Sequence, residues 1–151
     1  MNNKTVVVSG GFDPIHVGHI RLIQAAAQMG RLVVLLNTDE WLLRKKGYIF
    51  MPQEERKEIL EAIAGVSEVV IVIDQDDSVS QTIELIHPDI YATGGDVTPG
   101  KVRERETCQR LGIQVLYNVV NHPGHSSDYV TRACLACSPW NVERQYAVCK
   151  D

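Results

Sequence analysis

The sequence predicts an α/β fold: a doubly wound, five-stranded parallel sheet with helices on both faces. Three observations point to it. Five short runs rich in branched residues recur along the chain, longer amphipathic stretches alternate with them, and the runs are nearly continuously apolar. Strands covered on both faces read as such runs, and strand–helix alternation joins parallel neighbours through crossover helices. The expected connectivity is Rossmann-like, with ligands beyond the carboxyl ends of the strands.

Taken in order, Thr5 to Ser9 is the first strand, and Ile20, Ile23 and Ala27 mark an apolar-periodic helix after a glycine-rich turn. Leu32 to Asn37 is the second strand. Pro52-Gln53-Glu54-Glu55 opens a helix with proline and acidic residues in the first turn, where a missing N–H costs nothing and the helix dipole favours negative charge. Glu68 to Asp74 is the third strand, followed by Val79, Ile83 and Ile86 at helical spacing. Asp89 to Thr93 and Ile113 to Asn118 are the fourth and fifth. All five are expected to be buried. Val130, Ala133, Cys134 and Cys137 recur at i, i+3, i+4 and i+7, which predicts a helix with a core-facing stripe. Ser138-Pro139, with Val142, Tyr146 and Cys149 after it, predicts a short closing helix.

At 151 residues, with 44% apolar against 23% charged, the chain suits one globular domain. Residues 1–137 are expected to form the domain proper and 138–151 a helical extension of it. Fifteen basic and nineteen acidic side chains leave a net charge of -4. That total offers no broad field for capturing nucleic acid or an anionic membrane, so neither is expected as a partner and any anion site must be local. The longest apolar runs, Leu32 to Leu36 and Val69 to Ile73, fall far short of the roughly 18 residues that cross a bilayer. The N-terminal valine run is too short for the apolar core of a secretory signal, and a cytoplasmic location is expected. There the four cysteines, Cys108, Cys134, Cys137 and Cys149, stay reduced.

Chemistry concentrates in Ser9-Gly10-Gly11-Phe12-Asp13-Pro14-Ile15-His16-Val17-Gly18-His19, where the first strand turns into the first helix. Glycines allow a polyanion to approach the backbone, and free N–H groups at a helix start carry the positive end of its dipole. His16 and His19, three apart on one helix face, can meet the same anion. A satisfied structural pair is one competing reading, and half of a metal site, with His122 or His125 as a further ligand, is the other.

Gly10-Gly11-Phe12-Asp13-Pro14-Ile15-His16-Val17-Gly18-His19 resembles the GxFDxxHxGH signature of the cytidylyltransferase-like nucleotidylyltransferases. The likeness continues through Asn37-Thr38-Asp39, Lys45-Lys46-Gly47, Glu55-Arg56, Pro88-Asp89-Ile90, Gly94-Gly95-Asp96 and Ser126-Ser127-Asp128-Tyr129-Val130-Thr131-Arg132. It implies joining a nucleoside triphosphate to a phosphorylated small-molecule acceptor with loss of pyrophosphate. In that case His16, His19, Lys46 and Arg132 are the catalytic groups. Gly10, Gly11, Phe12, Asp13, Gly18, Gly94, Asp96, Ser126 and Ser127 bind the nucleotide, while Asp39 and Arg56 meet the acceptor or a sugar group. Lys46 is expected in a polar loop. Mg²⁺ is implied with the triphosphate, since it keeps water and phosphate ligands and needs few protein carboxylates. The resemblance also allows a homodimer, with the tail helix and its Trp140 and Tyr146 against a second copy.

Two substrate readings follow. Pro52-Gln53-Glu54-Glu55-Arg56 and Gly94-Gly95-Asp96 resemble the sugar-phosphate adenylyltransferase domain of heptose activation, with Thr93 in place of a usual lysine. The glycerol-3-phosphate and choline-phosphate cytidylyltransferases carry an RTEGIS-type stretch where this chain has Asn121-His122-Pro123-Gly124-His125-Ser126. ATP and a sugar phosphate are therefore favoured over CTP with a polyol phosphate, amino-alcohol phosphate or phosphonate. A nucleotide-binding regulatory module without turnover is the reading from another class.

Overall fold

A computed structural model describes residues 3–95, 97–122 and 124–136. Asp96, Cys137, Cys149 and the expected closing helix lie outside the described residues. The strands are β1 (Thr5–Gly10), β2 (Arg31–Leu36), β3 (Val66–Ile71), β4 (Ile90–Ala92) and β5 (Gln114–Leu116). The helices are α1 (Val17–Ala27), α2 (Asp39–Lys46), α3 (Gln53–Glu61), α4 (Ser80–Ile86), α5 (Arg105–Leu111) and α6 (Ser126–Ala136), with a 3₁₀ turn at Pro99–Lys101.

All strand pairs are parallel and the order is β3-β2-β1-β4-β5. The chain builds outward from β1 to β3, then returns to the other side of β1 for β4 and β5. The crevice of such a sheet lies where the order reverses, beyond the carboxyl ends of β1 and β4. Pairing between these two strands ends at Val7↔Tyr91, although β1 runs on to Gly10, so the strands part at the mouth of the crevice.

The period-two geometry of a strand sends alternate side chains to opposite faces. Val6 and Val8 of β1, with Leu32, Val34 and Leu36 of β2, pack against Leu22, Ile23 and Ala26 of α1 and Leu60 of α3. Val7, Val33 and Leu35 face the other way, against Ile83 of α4 and Cys108 of α5. Each such buried aliphatic side chain contributes about 1.5–3 kcal/mol. The central strands therefore hold the β1–α1 turn on a rigid base.

Three expectations need correction. First, β3 and β5 are edge strands: Ser67, Glu68 and Gln114 are exposed, so full burial holds for β4 and most of β2 and β1 only. Second, Lys46 is in the last turn of α2 and not in a loop. Thr38 Oγ1 accepts from Trp41 N at 3.2 Å to start that helix, and Gly47 at φ 78° ends it. Third, the stripe on α6 does not face the core, because Ala133 and Cys134 are exposed and Val130 is only half-buried. This helix is anchored at its start, where buried Ser126 donates from Oγ to the Pro14 carbonyl at 2.9 Å.

Candidate active site

His16 is the N-cap of α1. Its Nδ1 accepts from Gly18 N at 3.1 Å, and His19 Nδ1 accepts from His16 N at 3.2 Å, a reciprocal capping arrangement made by two imidazoles. A neutral imidazole that accepts at Nδ1 carries its proton on Nε2. Both rings line a cavity of about 500 Å³ beyond β1 and β4, so each keeps an N–H donor for it. Their centroids are 3.9 Å apart. The Phe12 ring, buried and carried on a residue at φ 50°, meets His19 edge-on at 4.8 Å and fixes its plane.

Burial pushes the His19 pKa from 6.5 down to about 3, helped by the charges of His16, Lys46 and His122. His16 is lowered too, by burial and then by His122, His125 and Lys46, against a smaller opposing pull from Asp128. Lys46 is lowered by burial, with Asp13 opposing and Arg56 adding to the effect. Near neutral pH the two imidazoles are therefore uncharged donors in a site short of negative charge, and a polyanion would supply it. The unfolded chain protonates His19 below pH 6.5, whereas the folded chain resists until about 3, so stability is complete above 6.5 and falls as pH drops through that window. Urea midpoints measured from pH 7 to 4 should fall, and His19→Asn, which keeps an acceptor but cannot titrate, should flatten the slope. An equal slope in the variant would count against a depressed His19.

Below the turn, Asp13 is completely buried. Its two carboxylate oxygens accept from Phe50 N and Met51 N, each at 2.7 Å, and its carbonyl accepts from Lys46 Nζ at 3.1 Å. Arg56 is also buried. It donates from Nε to Met51 O at 2.9 Å, from Nη1 to Gly11 O at 2.7 Å and Asn37 O at 2.8 Å, and from Nη2 to Asp39 Oδ1 at 2.6 Å. Close packing explains Gly11, where a Cβ would lie 2.9 Å from Leu42.

Against the head of α1 stands the start of α6, where His125 N donates to Asp128 Oδ2 at 2.8 Å. His122, His125, Ser126 and Ser127 line this side of the cavity. Arg132 does not reach the lining. Its guanidinium lies over the Tyr129 ring at 5.8 Å, and Tyr129 in turn stacks on His16 at 5.4 Å. At the other end the lining includes Ser9, Tyr91, Thr93, Lys101 and Glu104. Ser9 Oγ and Tyr91 Oη are 2.8 Å apart, and buried Glu104 accepts from Val79 N through Oε1 at 2.9 Å.

The structure thus brings His16, Gly18, His19, Lys46, Gly94, Ser126 and Ser127 around one space. Gly10, Gly11, Phe12 and Asp13 support it from behind, and Asp39 and Arg56 brace it from below. Sequence reasoning missed Tyr91, Lys101, Glu104 and Tyr129, and weighed His122 and His125 only as metal ligands. Tyr91 sits inside an apolar strand and Glu104 in a charged stretch, so neither carries a spacing signal. Among the described residues no group of three His, Cys, Asp or Glu side chains is placed to hold a metal ion, and no helix is long and apolar enough to cross a membrane.

Comparison with known proteins gives concordant matches. A family model described as cytidylyltransferase-like matches residues 7–132. The bifunctional protein HldE of Syntrophotalea carbinolica is 38% identical over 116 residues, covering 74% of this chain and 23% of HldE. The FAD synthase of Ferroglobus placidus is 33% identical over 111 residues, covering 74% of this chain and 72% of the synthase. The chain spans about a quarter of the length of the HldE relatives it matches. A lipopolysaccharide core biosynthesis protein of Thermoplasma volcanium shares the fold, with a TM-score of 0.65 at 24% identity over 79% of this chain and 98% of the other.

Proposed function

The chain belongs to the cytidylyltransferase-like family of nucleotidyltransferases, and from that premise we propose that it transfers a nucleoside monophosphate from ATP or CTP to a phosphorylated small molecule, preferably a sugar phosphate, releasing pyrophosphate. The observation that carries this reading is the pair of Nε2–H donors at the head of α1. They line one cavity together with Lys46, Ser126 and Ser127.

An oxygen of the acceptor phosphate attacks the α-phosphorus in line, the new P–O bond forms, and the bond to the β-phosphate breaks as pyrophosphate leaves. That attacking oxygen is anionic at neutral pH, since the second phosphate pKa is about 6, so no general base is required. The protein's contribution is positioning and charge stabilisation. His16 and His19 donate to oxygens on which charge grows in the transition state, and Lys46 adds a cation. Ser127 and the backbone N–H groups in the first turn of α6 hold the β and γ phosphates, while the Ser126 hydroxyl, already donated to the Pro14 carbonyl, fixes that turn in place. Arg132 would approach them by swinging off Tyr129. Mg²⁺ would enter with the triphosphate and neutralise part of its charge. Among the described residues Glu104 is the one carboxylate in the lining, and one of its oxygens is already occupied. Phosphate and water would supply nearly all the ion's ligands, which suits Mg²⁺.

Substrate preference comes from the far end. A sugar hydroxyl can donate to Glu104 while accepting from Lys101 or Tyr91, so the lining offers both halves of a hydroxyl's hydrogen bonding. FAD contains an adenylyl group, so the relative named for its synthesis favours ATP. The proposed setting is cytoplasmic, where nucleoside triphosphates and reduced thiols coexist.

Pyrophosphate release should be measured with Mg²⁺ and each of ATP, CTP, GTP and UTP against phosphorylated sugars, polyols, amino alcohols and phosphonates. Release with ATP and a sugar phosphate is expected. Release only with CTP and a polyol or amino-alcohol phosphate would move the assignment to the cytidylyltransferase reading. Nucleotide binding with silence across the panel would favour a regulatory module.

A further inference from the structure

We propose that His122 is a third imidazole of the phosphate cradle, donating its Nε2–H to the oxygens of the departing pyrophosphate. The inference rests on the nucleotidyl-transfer reading and adds a residue that neither the signature nor the later matching stretches assign a role in phosphate binding.

Two glycines make room for this ring. A Cβ on Gly18 would lie 2.8 Å from His122 Nδ1, and one on Gly124 would lie 2.8 Å from its Cε1. Gly18 also clears His16, whose Cε1 would be 2.8 Å from the same added atom. The glycine between the paired histidines therefore accommodates an imidazole from the β5–α6 loop as well as its neighbour on α1.

The tautomer of His122 follows from its backbone partner. Gly124 N lies 3.2 Å from Nδ1 and Gly124 O lies 3.3 Å from it. An N–H can only donate, so Nδ1 accepts and the proton of the neutral ring resides on Nε2. This is the arrangement of His16 and His19, reached from a different part of the chain. The His122 ring stacks on His16 at 5.4 Å with 26° between planes, and His19 lies against His16 at 3.9 Å. Three imidazoles thus form one row along the cavity.

Position decides which phosphate His122 serves. Its ring stacks on His16 at the head of α1, the place proposed for the α-phosphate, and its loop leads into the start of α6, the place proposed for the outer phosphates. Charge develops there as the α–β bond breaks. A donor at that point stabilises the transition state more than bound triphosphate, so its removal lowers kcat more than it raises KM.

A purely packing role is separated by His122→Phe, which keeps an aromatic ring on His16 but has no N–H, and by His122→Gln, which keeps a donor without the ring. We expect His122→Phe to lower kcat by about 10²-fold, the effect of deleting one such donor, with the nucleotide KM little changed. Inhibition by inorganic pyrophosphate should weaken in the same variant, and His122→Gln should recover part of both. Thermal midpoints check that each variant folds. If His122→Phe turned over like the wild type, or His122→Gln were the worse of the two, the role of His122 would be packing and the transfer reading would stand. If the wild-type protein neither turned over nor bound pyrophosphate, both readings would fall together.

Discussion

Replacing either His16 or His19 by alanine is expected to lower kcat by about 10²–10³-fold while measurable nucleotide binding persists. Each ring spends Nδ1 on the backbone at the start of α1 and keeps Nε2–H for the cavity, so the two nitrogens have separable jobs. Alanine removes both. At His16 it deletes an N-cap acceptor, which costs about 1 kcal/mol on its own. His16→Asn separates the two effects, because a short amide oxygen can still accept from Gly18 N but nothing replaces Nε2. Thermal stability should therefore recover in His16→Asn while turnover does not. The double variant should lose much less than the product of the single losses, since rings 3.9 Å apart serve one anion. Steady-state pyrophosphate release beside melting curves reads all of this. Variants within tenfold of the wild type would remove the imidazoles from the reaction.

How far the sequence discloses this arrangement depends on the range of each signal. The strands, the α1 turn and the Pro52 helix start rest on neighbours within a few residues, and all of them are present, although β3 runs over Val66–Ile71 instead of Glu68 to Asp74 and Pro52 caps its helix from just outside the first turn. The histidine pair is legible for the same reason, since three residues on a helix keep two side chains together. Lys46 reads as a loop residue because its helix depends on two end signals, Thr38 and Gly47, and its body has little apolar periodicity. Tyr91 on β4 and Glu104 just before α5 meet in the cavity because crossover connections bring residues distant in the chain to the same end of the sheet. No local spacing records that, and His122 gains its place from a loop that closes on α1 only in three dimensions.

Arg56→Met is expected to destabilise the fold by about 3–5 kcal/mol, the cost of withdrawing one member of a buried charged network. The side chain is fully buried and makes four hydrogen bonds, three of them to main-chain carbonyls at Gly11, Asn37 and Met51. Methionine fills the volume but strands those carbonyls at about 1–3 kcal/mol each, less whatever water can enter. Asp39 is partly exposed and would be re-solvated, so the carbonyls carry most of the loss. Arg56→Lys retains the charge but has three donors on a point instead of a planar fork, and should recover only part. Urea unfolding of the two variants measures this directly. The consequence for the site is indirect: Gly11 O and Met51 O flank Asp13, whose carbonyl holds Lys46, so loosening the brace should lower turnover together with stability. The family resemblance instead suggests that Arg56 meets the acceptor, and the same experiment decides between the two. A brace predicts that stability and turnover fall together and that higher acceptor concentration restores neither. An acceptor-binding arginine predicts a raised acceptor KM with the unfolding free energy moved by less than about 1 kcal/mol, as for a surface substitution.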